Sequence, residues 1–268
     1  MEINHDNFIK IIYDYFKNNR RLFQWREEIS PYNALVSEIM LQQTQTDRVS
    51  YKFPQWLSLF PDFKTLAQAS TRDVISAWAG LGYNRRALAL HAAAQRVIQE
   101  FGGNLPDNPE VLQTFKGIGP NTAGSICAFA FNKPTVFIET NIRAVYIHHF
   151  FKHEEKIHDK QLLPIIEATL DKKNPREWYY ALMDYGVKLK KEHKNPSRKS
   201  KHHVIQSKFE GSERQIRGMI LRALTEHGKL TFEELVVVIP RQENRIYKNL
   251  SDLIVEGFIK THKDIYFL

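Results

Sequence analysis

Glu38 stands in the string Ser37-Glu38-Ile39-Met40-Leu41-Gln42-Gln43-Thr44-Gln45, a carboxylate amid apolar residues with three amides close behind it. A lone glutamate on a helix is ordinarily a solvated group. Here Leu35, Ile39 and Leu41 imply partial burial, which raises a carboxyl pKa and suits the group to give up a proton as a general acid. Gln42, Gln43 and Gln45 each offer a donor and an acceptor, the equipment needed to bind the edges of nucleic-acid bases.

A second string, residues 112–130, reads LQTFKGIGPNTAGSICAFA. Gly117 and Gly119 allow a tight turn and a close approach of backbone to a ligand. The following helix is expected to start at Pro120, a favoured first-turn residue. Its unpaired N–H groups and positive dipole end then make an anion site that suits a phosphate without any basic side chain. Leu112 and Phe115 against Ile126 and Phe129 would lock the two helices together. A bare Gly-x-Gly marks only a turn; Thr122-Ala123 following it makes the string more telling.

These groups must be carried mainly on helices. Phe8, Ile11, Ile12, Tyr15 and Phe16 recur at helical spacing, as do Leu35, Ile39 and Met40, then Val74, Ile75 and Trp78, then Leu88, Leu90, Ala93 and Val97. Gly and Pro punctuate the intervals, and strand-like alternation is scarce. Later, Ser212 caps one helix, Thr231 and Glu234 form a capping box for a second, and a third spans about 243–256. The runs 258–260 and 265–267 then bracket a turn at 261–264. Three helices and a small hairpin describe a winged-helix-like domain, a shape that serves DNA and protein contacts alike.

The 268 residues carry a formal net charge of +8, which favours a polyanionic partner such as nucleic acid. Residues 186–210 hold eight Lys or Arg against two Glu and read as an exposed linker, either a tether or a strap along a phosphate backbone. The single cysteine cannot form an internal disulfide or a four-thiolate metal site. Cys127, in an apolar helix, is expected to be a packed residue. The histidines at 148, 149, 153, 158, 202 and 203 show no ligand spacing, so no metal site is expected. No apolar run approaches a membrane span, no signal-peptide core opens the chain, and no nucleotide-binding fingerprint occurs.

From Phe23-Gln24-Trp25-Arg26 to about Gly186 the chain resembles the helix-hairpin-helix DNA glycosylases, in particular the MutY-type adenine glycosylases. The strings SEIMLQQTQ, WAGLGYNRRALALHAAA, GIGPNTAG and ALMDYG occur in the family's order. The resemblance implies an all-α fold of two lobes. Residues 1–30 with 137–190 would form one lobe and 31–136 a helical-barrel lobe with the hairpin; beyond the resemblance, and departing from the family, 191–210 read as a basic linker and 211–268 as the winged-helix-like domain. The resemblance implies an enzyme that flips a mispaired adenine from duplex DNA and hydrolyses its glycosidic bond. Glu38 would be the acid that protonates the base, and Tyr83 a wedge inserted beside the lesion. Gln43 and Gln45 lie where the family contacts bases; from their own chemistry, Gln42 joins them as a base contact and Arg85 and Arg86 as phosphate contacts. Gly117, Gly119, Asn121, Thr122 and Asn141 would complete the DNA-binding set.

Three departures from the family bear on chemistry. Asn121 stands where lyase members carry lysine, so a monofunctional enzyme is expected. The family's cluster cysteines match Lys190, Ser197, Ser200 and Gln206, so no iron–sulfur cluster and no other cofactor is expected. Glu139, after Val136-Phe137-Ile138, stands where the family has the aspartate that steadies the sugar cation. The resulting expectation is an intracellular, monomeric repair enzyme acting on double-stranded DNA with a mispaired or damaged base, adenine opposite 8-oxoguanine or G first. A mismatch glycosylase for T or U opposite G, and a lesion-binding protein without catalysis, are the alternatives.

Overall fold

The computed structural model describes residues 4–204 and 207–268. The described residues are mostly helical. In order, the helices are α1 (His5–Asn19), α2 (Gln24–Glu27), α3 (Pro31–Leu41), α4 (Thr46–Leu59), α5 (Phe63–Gln68), α6 (Thr71–Trp78), α7 (Arg85–Phe101) and α8 (Pro109–Gln113). There follow α9 (Pro120–Phe131), α10 (Thr140–Phe150), α11 (Asp159–Thr169), α12 (Pro175–Glu192), a 3-10 turn at Pro196–Lys199 and α13 (Glu213–His227). The C-terminal part adds β1 (Lys229–Thr231), α14 (Phe232–Val238), α15 (Glu243–Val255), β2 (Lys260–His262) and β3 (Ile265–Phe267). The described chain divides into two compact units, one of residues 4–39 and 105–204, the other of 40–104 and 207–268.

In the first unit, Asn4 caps α1 by accepting from the Asn7 amide, and the helix buries Phe8, Ile12 and Phe16 on one face. That face meets α10 and α12: Phe8 packs edge-on against Trp178 with ring centroids 6.0 Å apart. Ala128 and Phe129 of α9 belong to the same core, and Phe129 stacks on Tyr180 at 4.8 Å. This shared core places the glycine hairpin with α1, α10 and α12, whereas the family resemblance groups it with 31–136.

In the second unit, Trp56 of α4 meets Trp78 of α6 edge-on at 5.5 Å. Ser70 caps α6, and α7 ends at Gly102 in the left-handed region, φ 59°. The winged-helix-like residues belong to this unit. Helix α13 packs on α6, and the Arg72 guanidinium donates to the Thr225 carbonyl at 2.9 Å. Ser212 and Thr231 cap α13 and α14 as expected. The first strand of the hairpin lies two residues later than the sequence suggests, and Phe258 and Ile259 precede it as buried residues. Strand β2 is Lys260–His262, and the turn shrinks to Lys263 and Asp264, both at positive φ, which matches the twist of the flanking strands. Strand β1 pairs with β3, making a three-stranded antiparallel sheet of order β1-β3-β2.

The stretch expected to be an exposed linker is partly built into the first unit. Helix α12 runs to Glu192, and Pro196, Ser197 and Ser200 are buried. The Ile157 amide donates to Lys199 O at 3.0 Å, and the Lys201 amide donates to Ile157 O at 2.9 Å. A segment poor in large apolar residues is held here by backbone hydrogen bonds, which composition does not reveal. Gln206 lies outside the described residues. Among the described residues no helix is long and apolar enough to cross a membrane.

Candidate active site

Helix α3 starts at Pro31 and buries Leu35, Val36 and Ile39, which leaves Glu38 on its half-buried flank. Ser125, one turn inside α9, is buried and donates its hydroxyl to Glu38 Oε2 at 2.5 Å. The same hydroxyl lies 3.0 Å from Thr122 O. One proton cannot serve both acceptors. When Glu38 is ionised Ser125 donates to it; when Glu38 is protonated the serine can turn to Thr122 and accept the acid's proton instead. Burial is the main force on Glu38 and pushes its carboxyl up to about 7. The Ser125 hydroxyl and the Arg26 charge oppose that rise, and the Glu139 charge adds to it. A carboxyl poised there is populated as an acid at neutral pH.

Glu139 is brought to this region by a pinned strand-like segment. Thr135 Oγ1 donates to Gly124 O at 2.7 Å, and the Ile138 amide donates to Asn121 Oδ1 at 3.1 Å. A Cβ at Gly124 would lie 2.9 Å from that of Phe137, so a larger residue there would lever the segment off α9. Glu139 is the N-cap of α10. Its Oε1 accepts from the amides of Asn141 at 2.8 Å and Ile142 at 3.0 Å, and its Oε2 accepts from Asn141 Nδ2 at 3.2 Å. Asn121, expected to face DNA, thus directs its carbonyl oxygen to the backbone ahead of Glu139.

The glycine turn has the expected form. Gly117 is at φ +81°, Gly119 is the N-cap of α9, and Pro120 opens the helix. Ile118 is buried while Gly117 and Gly119 are exposed, so the turn leans on the core and presents its backbone outward.

The DNA-facing candidates on α3's continuation and α7 lie in the second unit. Gln43 and Tyr83 adopt left-handed φ values of 55° and 48°, uncommon for non-glycine residues. Gln43 and Gln45 are exposed, Gln42 partly so, and Tyr83 is 37% exposed. Arg86 corrects the expectation of a phosphate contact. It is buried, and its guanidinium donates to the carbonyls of Met40, Gln42, Leu81 and Gly82 and to Thr44 Oγ1. It ties the Gln42–Gln45 loop to the Gly80–Tyr83 loop, and burial lowers its pKa to about 10. Arg85 is exposed and pairs with Glu256, which Arg217 also holds at 2.6 Å. Arg214 donates to the Tyr83 hydroxyl at 2.8 Å and lies over its ring at 5.6 Å.

Sequence reasoning missed Ser125, Arg26 and Asp184. Asp184 is buried and accepts from the Arg21 amide, Arg21 Nε and Arg26 Nη1, so the Arg26 charge that acts on Glu38 is held in a paired network. Ser125 had a signal: it is a hydroxyl in an apolar helical run.

The residues at the family's cluster positions do not fit an iron–sulfur group. Lys190 donates to Asn141, Ser197 donates to Asn195 Oδ1, and neither they nor Ser200 offer a thiolate. Cys127 is buried on α9, donates to Asp107 O at 3.4 Å, and is pushed up to about 11 by burial. Among the described residues no group of three or more His, Cys, Asp or Glu could hold a metal ion.

The fold places the chain in a class. A thermostable thymine-DNA glycosylase superposes with a TM-score of 0.60, at 23% identity, over 68% of this chain and 86% of that one. A trapped endonuclease III–DNA covalent intermediate gives 0.55, at 14% identity, over 77% and 91%. Both share the helix-hairpin-helix glycosylase fold. Residues 36–168 match the HhH-GPD superfamily of base excision DNA repair proteins, and through them the chain belongs to that superfamily. Among curated relatives, the adenine DNA glycosylase of Mycobacterium tuberculosis (strain ATCC 25618 / H37Rv) is 39% identical over 132 residues, covering 49% of this chain and 43% of that protein. The adenine DNA glycosylase of Buchnera aphidicola subsp. Baizongia pistaciae is 31% identical over 174 residues, covering 65% and 50%. That of Homo sapiens is 33% identical over 160 residues, covering 58% and 29%. The chain therefore spans about half or less of the length of these relatives.

Proposed function

We propose that this protein is a monofunctional DNA glycosylase, active as a monomer and without an iron–sulfur cluster, that removes adenine mispaired with 8-oxoguanine or G. The observation that carries the reading is Glu38, a half-buried carboxyl held by Ser125 and raised to about 7. Adenine leaves readily only when a ring nitrogen is protonated, and a neutral carboxyl supplies that proton. The target nucleotide is first extruded from the duplex, at a cost of a few kcal/mol. As Glu38 delivers its proton, the C1′–N9 bond breaks and its electron pair leaves with the base. The sugar is left with oxocarbenium character, which the Glu139 carboxylate stabilises. Water then adds to C1′ and its proton passes to a carboxylate. No lysine stands at 121 to form a Schiff base, so the abasic strand is released uncut. Names of the curated relatives support adenine as the base.

The test is base release from duplexes bearing A opposite 8-oxoguanine, A opposite G, and T opposite G. Excision from the adenine duplexes, abolished in Glu38→Gln with DNA binding retained, is the expected result. Release of thymine alone would move the assignment to a mismatch glycosylase, and binding without release would leave a lesion-binding protein.

A further inference from the structure

Lys190 belongs to no part of the reaction described so far, yet it reaches the group that holds Glu139. It sits on α12, one turn beyond Gly186. A Cβ at Gly186 would lie 2.6 Å from Asn141 O and 2.8 Å from Asn141 Cβ, so only glycine lets α12 lie this close to the start of α10. With the helices in contact, Lys190 is partly buried and its ammonium donates to Asn141 Oδ1 at 2.7 Å. Asn141 Nδ2 in turn donates to Glu139 Oε2 at 3.2 Å.

The direction of this chain follows from what each group can do. An ammonium has three donors and no acceptor, and an ionised carboxylate only accepts. An amide between them has one orientation that satisfies both, with oxygen toward the lysine and nitrogen toward the carboxylate. We propose, resting on the glycosylase reading above, that Lys190 is a positioning residue of the reaction: by fixing the Asn141 amide it holds Oε2 of Glu139 in place. Burial lowers the lysine's pKa, and the Glu139 charge opposes that fall. Glu139 needs such a brace. It is one methylene longer than aspartate, and its backbone amide partners fix only Oε1.

The experiment is a double-mutant cycle read by single-turnover excision at saturating enzyme, with Kd for the uncleaved duplex measured beside it. Lys190→Met, close in shape, should slow base release by roughly 10- to 100-fold, the cost of a carboxylate displaced by about an ångström. Its Kd should be unchanged, and Lys190→Arg, which can still donate, should recover part of the rate. Asn141→Leu, close in shape and uncharged, removes both the acceptor for Lys190 and the donor to Glu139. It should be slow by itself, and adding Lys190→Met to it should cost no more. Independent losses, or a changed Kd with an unchanged rate, would overturn the proposal. A second readout needs neither activity nor the Lys190→Met fold. The Asn141 side-chain amide protons should exchange slowly in the wild-type protein and in Lys190→Arg, and rapid exchange there would refute the pin. If the wild-type protein released no base, the glycosylase reading would fall, while amide exchange would still decide whether Lys190 holds Asn141.

Discussion

The hydroxyl of Ser125 has one proton and two acceptors, and that choice follows the state of Glu38. Because the serine donates to the ionised carboxylate, its removal disfavours ionisation and raises the pKa further. In the proposed reaction base release requires the protonated acid, so excision should fall as pH rises through about 7, and in Ser125→Ala the alkaline limb should move up by roughly half to one unit. A pH–rate profile of both proteins checks the sign; a downward move would mean the serine serves the neutral acid. The raised pKa also links to folding. A carboxyl at about 7 in the folded chain and 4.5 in the unfolded one contributes stability that is complete below 4.5 and lost as pH rises through 7. Glu38→Gln removes that loss. It should melt higher than wild type at about pH 8.5, by an equivalent of about 3 kcal/mol, and show little such gain at about pH 4.5. Equal gains at both pH values would mean that Glu38 carries no buried charge.

At the scale of elements, two loops depend on one side chain. Arg86 serves five acceptors drawn from 40–44 and 81–82. A lysine has the charge but not the planar fork, so Arg86→Lys should leave several carbonyls unpaired and cost about 3 kcal/mol or more. Arg85→Ala, at an exposed pair, should cost under about 1 kcal/mol. Chemical denaturation of the two variants compares them directly. The adjacent arginines are indistinguishable as letters, and only their placement on α7 turns one inward and the other to Glu256. Much else at this scale is legible. The helical spacing of Phe8, Ile12 and Phe16, the caps at Ser212 and Thr231 and the start of α9 at Pro120 follow from local chemistry alone. So does the half-burial of Glu38, because its neighbours are apolar. What stays hidden rests on residues distant in sequence: Ser125 meeting Glu38, Gly186 admitting Asn141, and Ile157 pairing with the backbone around Ser200.

Over the whole molecule the net charge of +8 is concentrated at 186–210, but not every cation there is available to a phosphate. Lys188 pairs with Glu192, Lys190 with Asn141, and Lys199 donates to the carbonyls of Lys152 and Glu154. Lys194, Arg198 and Lys201 stand exposed. Neutralising those three should weaken binding to all duplexes alike and reduce the log–log salt slope by about 0.9 for each phosphate they had neutralised. Lys199→Ala should leave the slope unchanged. Titrations across a salt series separate the two, and equal slopes throughout would make the segment a tether. Cys127 has a consequence of a different kind. Sulfur is attacked by peroxides and alkylating agents as the thiolate, and a buried thiol raised to about 11 is protonated almost entirely at neutral pH. No other cysteine occurs in the sequence, so nothing in the chain offers oxidants a ready sulfur anion. Slow reaction of the folded protein with hydrogen peroxide and with alkylating agents at neutral pH is the consequence.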